Sequence, residues 1–157
     1  MTELNVLKAL FLDLDDTLCD TSSANGQAMR LMAESLQAQY GDEFDGQGFS
    51  RAYVQCIYRN WSASQRADYT PIIEQQSESA FRVQLIRDLL AGQGVRSVTE
   101  VEAQSVQHKF DRDRLQAFGF YAGITEFLAE ARKTFTLVVI TNGPEYSQIP
   151  KVEAVNG

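Results

Sequence analysis

Two short apolar runs and four longer periodic stretches divide this chain. The first run, Val6 to Leu12 with Lys8 near its start, is too brief for a helix and reads as a buried strand. It stops in Asp13, Asp15 and Asp16, three carboxylates within four residues. The second run, Phe135 to Ile140, reads as another strand and stops in Thr141-Asn142-Gly143-Pro144. Between the two, apolar residues recur at helical spacing. Ala24, Ala28, Leu31, Met32, Leu36 and Tyr40 make one stripe, and Phe49, Tyr53, Cys56, Ile57 and Trp61 a second. Phe81, Leu85, Ile86, Leu89 and Leu90 make a third, and Val101, Val106, Phe110 and Leu115 a fourth.

Polar residues punctuate these stripes. Thr21, Ser22 and Ser23 offer N-caps for the first helix, and Gly41 ends it. Thr70-Pro71 predicts the start of the third helix, with proline at the first helical position, and Gly92 and Gly94 its end. Thr99 and Glu102 have the spacing of a capping box at the start of the fourth. A linker at 118–123 leads to a short amphipathic helix carrying Ile124, Phe127, Leu128 and Ala131, and a last helix is predicted from Glu145 to Val155. The fold class implied is α/β: a partial, Rossmann-like core with parallel strands near 6–12 and 135–140, drawn from residues 1–18 and 119–157. Residues 19–118 form an inserted four-helix cap over the strand ends.

Composition narrows the function classes. A chain of 157 residues, 44% hydrophobic and 22% charged, has the make-up of a globular protein. A formal net charge of −7 with no basic stripe excludes nucleic acid as a default partner. No apolar run is long enough to span a bilayer, so no membrane partner is expected. Cys19 and Cys56 have neither metal-ligand spacing nor a disulfide framework, and no secretory pattern opens the chain; a cytoplasmic protein is expected.

The acidic strand end carries the chemistry. Carboxylates there are costly unless they cap a turn, meet a cation or react. In open α/β sheets ligands bind outside the carboxyl ends of the strands. By period-two alternation, Asp13 and Asp15 share one side of the extended chain. The plainer reading is that Asp15, Asp16 and Thr17 form a turn and cap the next helix.

Asp13-Leu14-Asp15-Asp16-Thr17 after a hydrophobic strand resembles the first motif of the haloacid dehalogenase-like (HAD) superfamily. Leu137-Val138-Val139-Ile140-Thr141-Asn142 resembles its second motif, and the helical block between them the cap of one large subgroup. The resemblance implies a Mg2+-dependent phosphatase that hydrolyses a small phosphorylated metabolite through an aspartyl-phosphate. Asp13 would be the nucleophile and Asp15 the general acid and base, with a raised pKa. Thr141 and Asn142 would bind the phosphoryl group. The Asp13 carboxylate and the Asp15 main-chain carbonyl would be metal ligands. An aspartate two residues after the nucleophile favours phosphatases over the superfamily's dehalogenases, which lack it, and over its ion pumps, which have threonine there. The run from Asp16 to Thr21 is similar to that of its sugar and nucleotide phosphatases.

The chain departs from the family pattern in two motifs, a lysine and a second acidic pair. Lys151, the lysine after Asn142, reads as a solvated helix residue, with the family's lysine as the alternative, and Glu145 and Glu153 read as ordinary helix carboxylates. Three expectations follow. The chain corresponds to an N-terminal portion of a larger enzyme or to a truncated product. The unpaired edge of the first strand invites a homo-oligomer that covers it. A non-catalytic remnant or interaction module, or a phosphomutase, stands as the alternative function. Elsewhere, His108 and Arg51, Arg59 and Arg66 read as solvated, Trp61, Tyr53 and Tyr58 as core of the cap, and Cys19 as packing.

Overall fold

Two five-residue strands, β1 (Ala9–Asp13) and β2 (Thr136–Ile140), pair in parallel in the computed structural model, which describes residues 8–156. Val6 and Leu7, expected in the first strand, lie outside the described residues. The register sets Ala9 against Thr136 and Asp13 against Ile140, so both strands end at the same level. Parallel strands need a long crossover. Here it carries helices α1 (Thr21–Tyr40), α2 (Gly46–Ile57), α3 (Ala63–Gln75), α4 (Glu78–Gly92), α5 (Glu100–Ala117) and α6 (Ile124–Ala131); α7 (Glu145–Val155) follows β2. Among the described residues no helix is long and apolar enough to cross a membrane.

The chain divides into two compact units, one joining the stretch up to Ser23 with that from Phe118 onward, the other being Ala24–Ala117. In the first unit β1 is less buried than its composition suggests. Phe11 is 62% exposed, and Val139 and Ile140 on β2 are exposed too. Helix α6 is the short helix expected there; Ile124, Leu128 and Ala131 are half-buried on it, and Phe127 is exposed. Burial in this unit concentrates after β1, at Leu14, Leu18 and Cys19. Leu18 and Cys19 both donate their N–H to the Leu14 carbonyl, and Tyr121 N–H to the Leu18 carbonyl, tying the loop to the linker before α6.

The second unit holds the main core. Ala28, Met32 and Leu36 of α1 join Phe49 and Tyr53 of α2, Phe81, Leu85, Ile86 and Leu90 of α4, and Phe110 of α5. Tyr53 and Phe110 meet edge to face, with ring centroids 5.1 Å apart. The insertion holds five helices rather than four. The stretch expected as one helix from Thr70-Pro71 onward is split: Ser62 closes a capping box on α3 and Ser77 caps α4, so Pro71 falls inside α3. On α5 the buried face is Ala103, Gln107, Phe110 and Arg114, while Val101 is 73% exposed.

A buried ionic network runs through this core. Arg82, 2% exposed, pairs with Glu78 at 3.2 Å and Asp111 at 3.3 Å, and Arg114 pairs with Asp111 at 3.1 Å. Arg59, expected in solvent, belongs to the same network. It bonds both oxygens of Glu78, and its guanidinium lies 4.9 Å from the Trp61 ring centroid and 5.0 Å from that of Phe81. Those contacts hold it at φ +65°, an uncommon conformation for a residue with a side chain. Arg51, Arg66 and His108 are exposed, as read from sequence. Tyr53 and Trp61 pack in or against the core, whereas Tyr58 is 55% exposed and accepts a hydrogen bond from Asn25 Nδ2 at 2.8 Å.

Candidate active site

The loop that leaves β1 decides how the acidic residues differ. Asp13 ends the strand, exposed, and its carboxylate accepts from Leu14 N–H at 2.9 Å and Thr17 Oγ1 at 3.3 Å. Asp16 takes φ +53°, which turns the chain sharply. Its carboxylate accepts from Ser22 N–H at 2.8 Å and Ser22 Oγ at 2.7 Å. Asp20 accepts from Ser23 N–H at 3.0 Å, three residues on, which is the N-cap interaction. The hydroxyl residues expected to cap α1 are thus donors to preceding carboxylates, and Asp20 caps the helix. The turn-and-cap reading holds for Asp16; Asp15 has other partners.

Asp15 is half-buried and accepts from four side chains. Thr21 Oγ1 and Lys151 Nζ each lie 2.7 Å from Oδ1, Gln148 Nε2 lies 2.9 Å from Oδ2, and Thr141 Oγ1 stands 3.5 Å from Oδ2. Partial burial pushes the Asp15 pKa up, but the Lys151 ammonium and the Thr21 and Gln148 hydrogen bonds outweigh it. The net shift is below the ordinary value of 3.8. This is opposite to the raised value expected of a general acid, because donors on every side favour the ionised form. The Cys19 thiol, 0% exposed, is pushed up to about 11 by burial first and by the Asp15 charge second, as suits a packing residue.

Lys151 corrects the sequence reading most. Expected in solvent, it is 2% exposed and bonded to Asp15, with Nζ 5.8 Å from the Phe118 ring centroid. Gln148, 8% exposed, was not singled out from sequence. The signal available was their i, i+3 spacing on a helix beginning just past Thr141. Glu145 and Glu153 lie exposed on that helix, and Asn142 lies exposed after β2. The structure therefore brings Asp15, Thr141, Gln148 and Lys151 together at the strand ends, with Asp13 two residues before Asp15. Among the described residues no three acidic, histidine or cysteine side chains gather as a metal site. The Asp13 carboxylate has two neutral donors, and an ionised carboxylate offers about four acceptor sites, so it keeps capacity for a cation.

No family model matches the sequence. Over 153 residues the chain is 27% identical to the N-acylneuraminate-9-phosphatase of Rattus norvegicus and 26% identical to that of Homo sapiens, covering 96% of this chain and 57% of each relative. Its fold matches the HAD-hydrolase YfnB of Bacillus subtilis, solved with magnesium, at a TM-score of 0.57 and 18% identity, over 96% of this chain and 59% of that one. A haloacid dehalogenase-like hydrolase of Xanthomonas campestris matches with the same TM-score and identity, over 98% of this chain and 58% of its own. The chain thus spans under three fifths of the length of these relatives. Two motif-bearing strands in order, with a helical insertion between them, accompany a likeness in sequence to N-acylneuraminate-9-phosphatases and a likeness in fold to haloacid dehalogenase-like hydrolases.

Proposed function

We propose that this chain carries the nucleophile, the acid/base residue and the phosphate ligand of a phosphomonoester hydrolase. One observation supports it above the others: paired strands of equal reach deliver Asp13 at one end and Thr141 just past the other, with Asp15 3.5 Å from Thr141 Oγ1. A carboxylate is already a nucleophile in its anionic form, so this role needs no base to activate it. The Asp13 carboxylate oxygen attacks phosphorus. The bond from phosphorus to the ester oxygen breaks, and the departing oxygen keeps the electron pair and takes a proton from Asp15. Asp15 must first take up that proton from solvent, because its neighbours favour the ionised form. In the second half, water attacks the phosphorus of the aspartyl-phosphate and gives a proton to Asp15, while the bond to the Asp13 oxygen breaks and restores the carboxylate. The ionised Asp15 favoured by its neighbours is the form that accepts this proton. Thr141 donates to a phosphoryl oxygen as charge develops there.

Mg2+ suits the available donors, all oxygen: the Asp13 side chain and the Asp15 main-chain carbonyl, with waters completing its shell. When bound it screens the substrate's charge from Asp13. The substrate class is a small phosphorylated metabolite. The likeness to N-acylneuraminate-9-phosphatases favours a sugar phosphate within it.

Phosphate release from a panel of small phosphomonoesters, with Mg2+ and with a chelator, tests the proposal. Wild type is expected to release phosphate only with the metal, and Asp13→Asn to lose at least about 1,000-fold in rate, since the covalent path is closed. Equal rates in the two proteins would sink it.

A further inference from the structure

Gln148 and Lys151 stand three residues apart on α7, so they share one face of that helix. At 8% and 2% exposure both are withdrawn from solvent, yet lysine and glutamine ordinarily remain in water. Both donate to the same carboxylate, Gln148 Nε2 at 2.9 Å and Lys151 Nζ at 2.7 Å from Asp15, one to each oxygen. Gly143 keeps the way clear. A Cβ at that position would lie 2.1 Å from Gln148 Nε2 and 2.7 Å from Gln148 Cδ. Gly143, Gln148, Lys151 and Thr141 all belong to the continuous segment from the end of β2 through α7.

From this geometry we infer that Gln148 and Lys151 are positioning residues: they tie the Asp15 carboxylate to the segment that carries Thr141, holding the proton-transfer group and the phosphate ligand as one body. The inference rests on the phosphatase reading above. Neither residue is assigned contact with the reacting atoms; each acts through Asp15. Gly143 serves the same end by leaving room for the Gln148 amide.

The test uses the 157-residue chain with Mg2+ and two substrates that differ in their need for a proton. Glycerol 1-phosphate expels an alkoxide and needs one; p-nitrophenyl phosphate expels a stable phenolate and does not. The parameter is kcat/KM, which reports the step that breaks the ester bond. In Lys151→Met and Gln148→Met it is expected to fall about 100-fold for glycerol 1-phosphate and far less for p-nitrophenyl phosphate. Gly143→Ala, which alters no hydrogen-bonding group, should shift the two substrates in the same unequal way. Equal losses on both substrates, as a folding defect would give, overturn the inference, and so do unchanged rates. If wild type hydrolyses neither substrate, the phosphatase reading falls by itself. The clamp is then judged by a double-mutant cycle in urea between Asp15→Asn and Lys151→Met. Strongly non-additive losses uphold the clamp, and additive losses overturn it.

Discussion

Four side-chain donors converge on the Asp15 carboxylate, while its neighbour two residues back, Asp13, is met by a backbone N–H and one hydroxyl. Two carboxylates so close in sequence therefore live in different electrostatic settings. The Asp15 setting has a consequence for acid stability. A carboxylate whose folded pKa lies below its unfolded one stabilises the folded state fully above the unfolded value, here 3.8, and loses that contribution as pH falls through the depressed folded value. Urea midpoints measured from neutral pH downward should show a gap between wild type and Asp15→Asn that closes below about pH 4. A gap independent of pH would contradict this. In sequence the Asp13-x-Asp15 pair was legible and its partners were not. Thr21 was visible only as a cap, and Lys151 only as a charge on a helix. Side-chain pairing across 136 residues leaves no local pattern to read.

Among the helices, caps decide boundaries more than hydrophobic spacing does. The α3–α4 break shows it: the apolar stripe through Phe81, Leu85 and Leu90 lies wholly on α4, and Ser62 and Ser77 each satisfy an N–H group at the start of a separate helix. Thr70-Pro71 is a good start signal that loses here to the reciprocal Ser62–Gln65 capping box two turns earlier. Ser62→Ala and Ser77→Ala should each destabilise the protein by about 1 kcal/mol in urea unfolding, and Thr70→Ala by much less. The start of α2 is fixed differently, by close approach. A Cβ on Gly46 would stand 2.4 Å from the Ala33 carbonyl oxygen of α1, so only glycine fits. Periodicity, a short-range property, predicted most helices, and it missed α3, which carries none of the residues of the third stripe and whose start is set by the Ser62 cap.

For the molecule as a whole, the two units differ in how well they cover their apolar residues. The Ala24–Ala117 unit encloses an aromatic and aliphatic core with a paired ionic network inside it. The unit with the sheet leaves Phe11, Phe127, Val139 and Ile140 between 45% and 62% exposed. Exposed apolar residues on and beside a two-stranded sheet favour association. The sedimentation coefficient of the chain should therefore rise with concentration, and Phe11→Lys should reduce that rise. A monomer throughout the millimolar range would refute this.

The sequence alone determined the α/β class, the order of the elements and the two motif-bearing strands, with Asp13, Asp15 and Thr141 at their ends. Strand and helix periodicities and the abrupt change from apolar to acidic residues are local, and so they can be read along the chain. Tertiary structure decided what local pattern cannot carry. It set β1 and β2 in register, split the insertion into five helices, and drew Arg59 and Arg82 into a buried network. It also turned Lys151 inward to Asp15, because burying an ammonium becomes tolerable only when the fold brings a carboxylate to meet it.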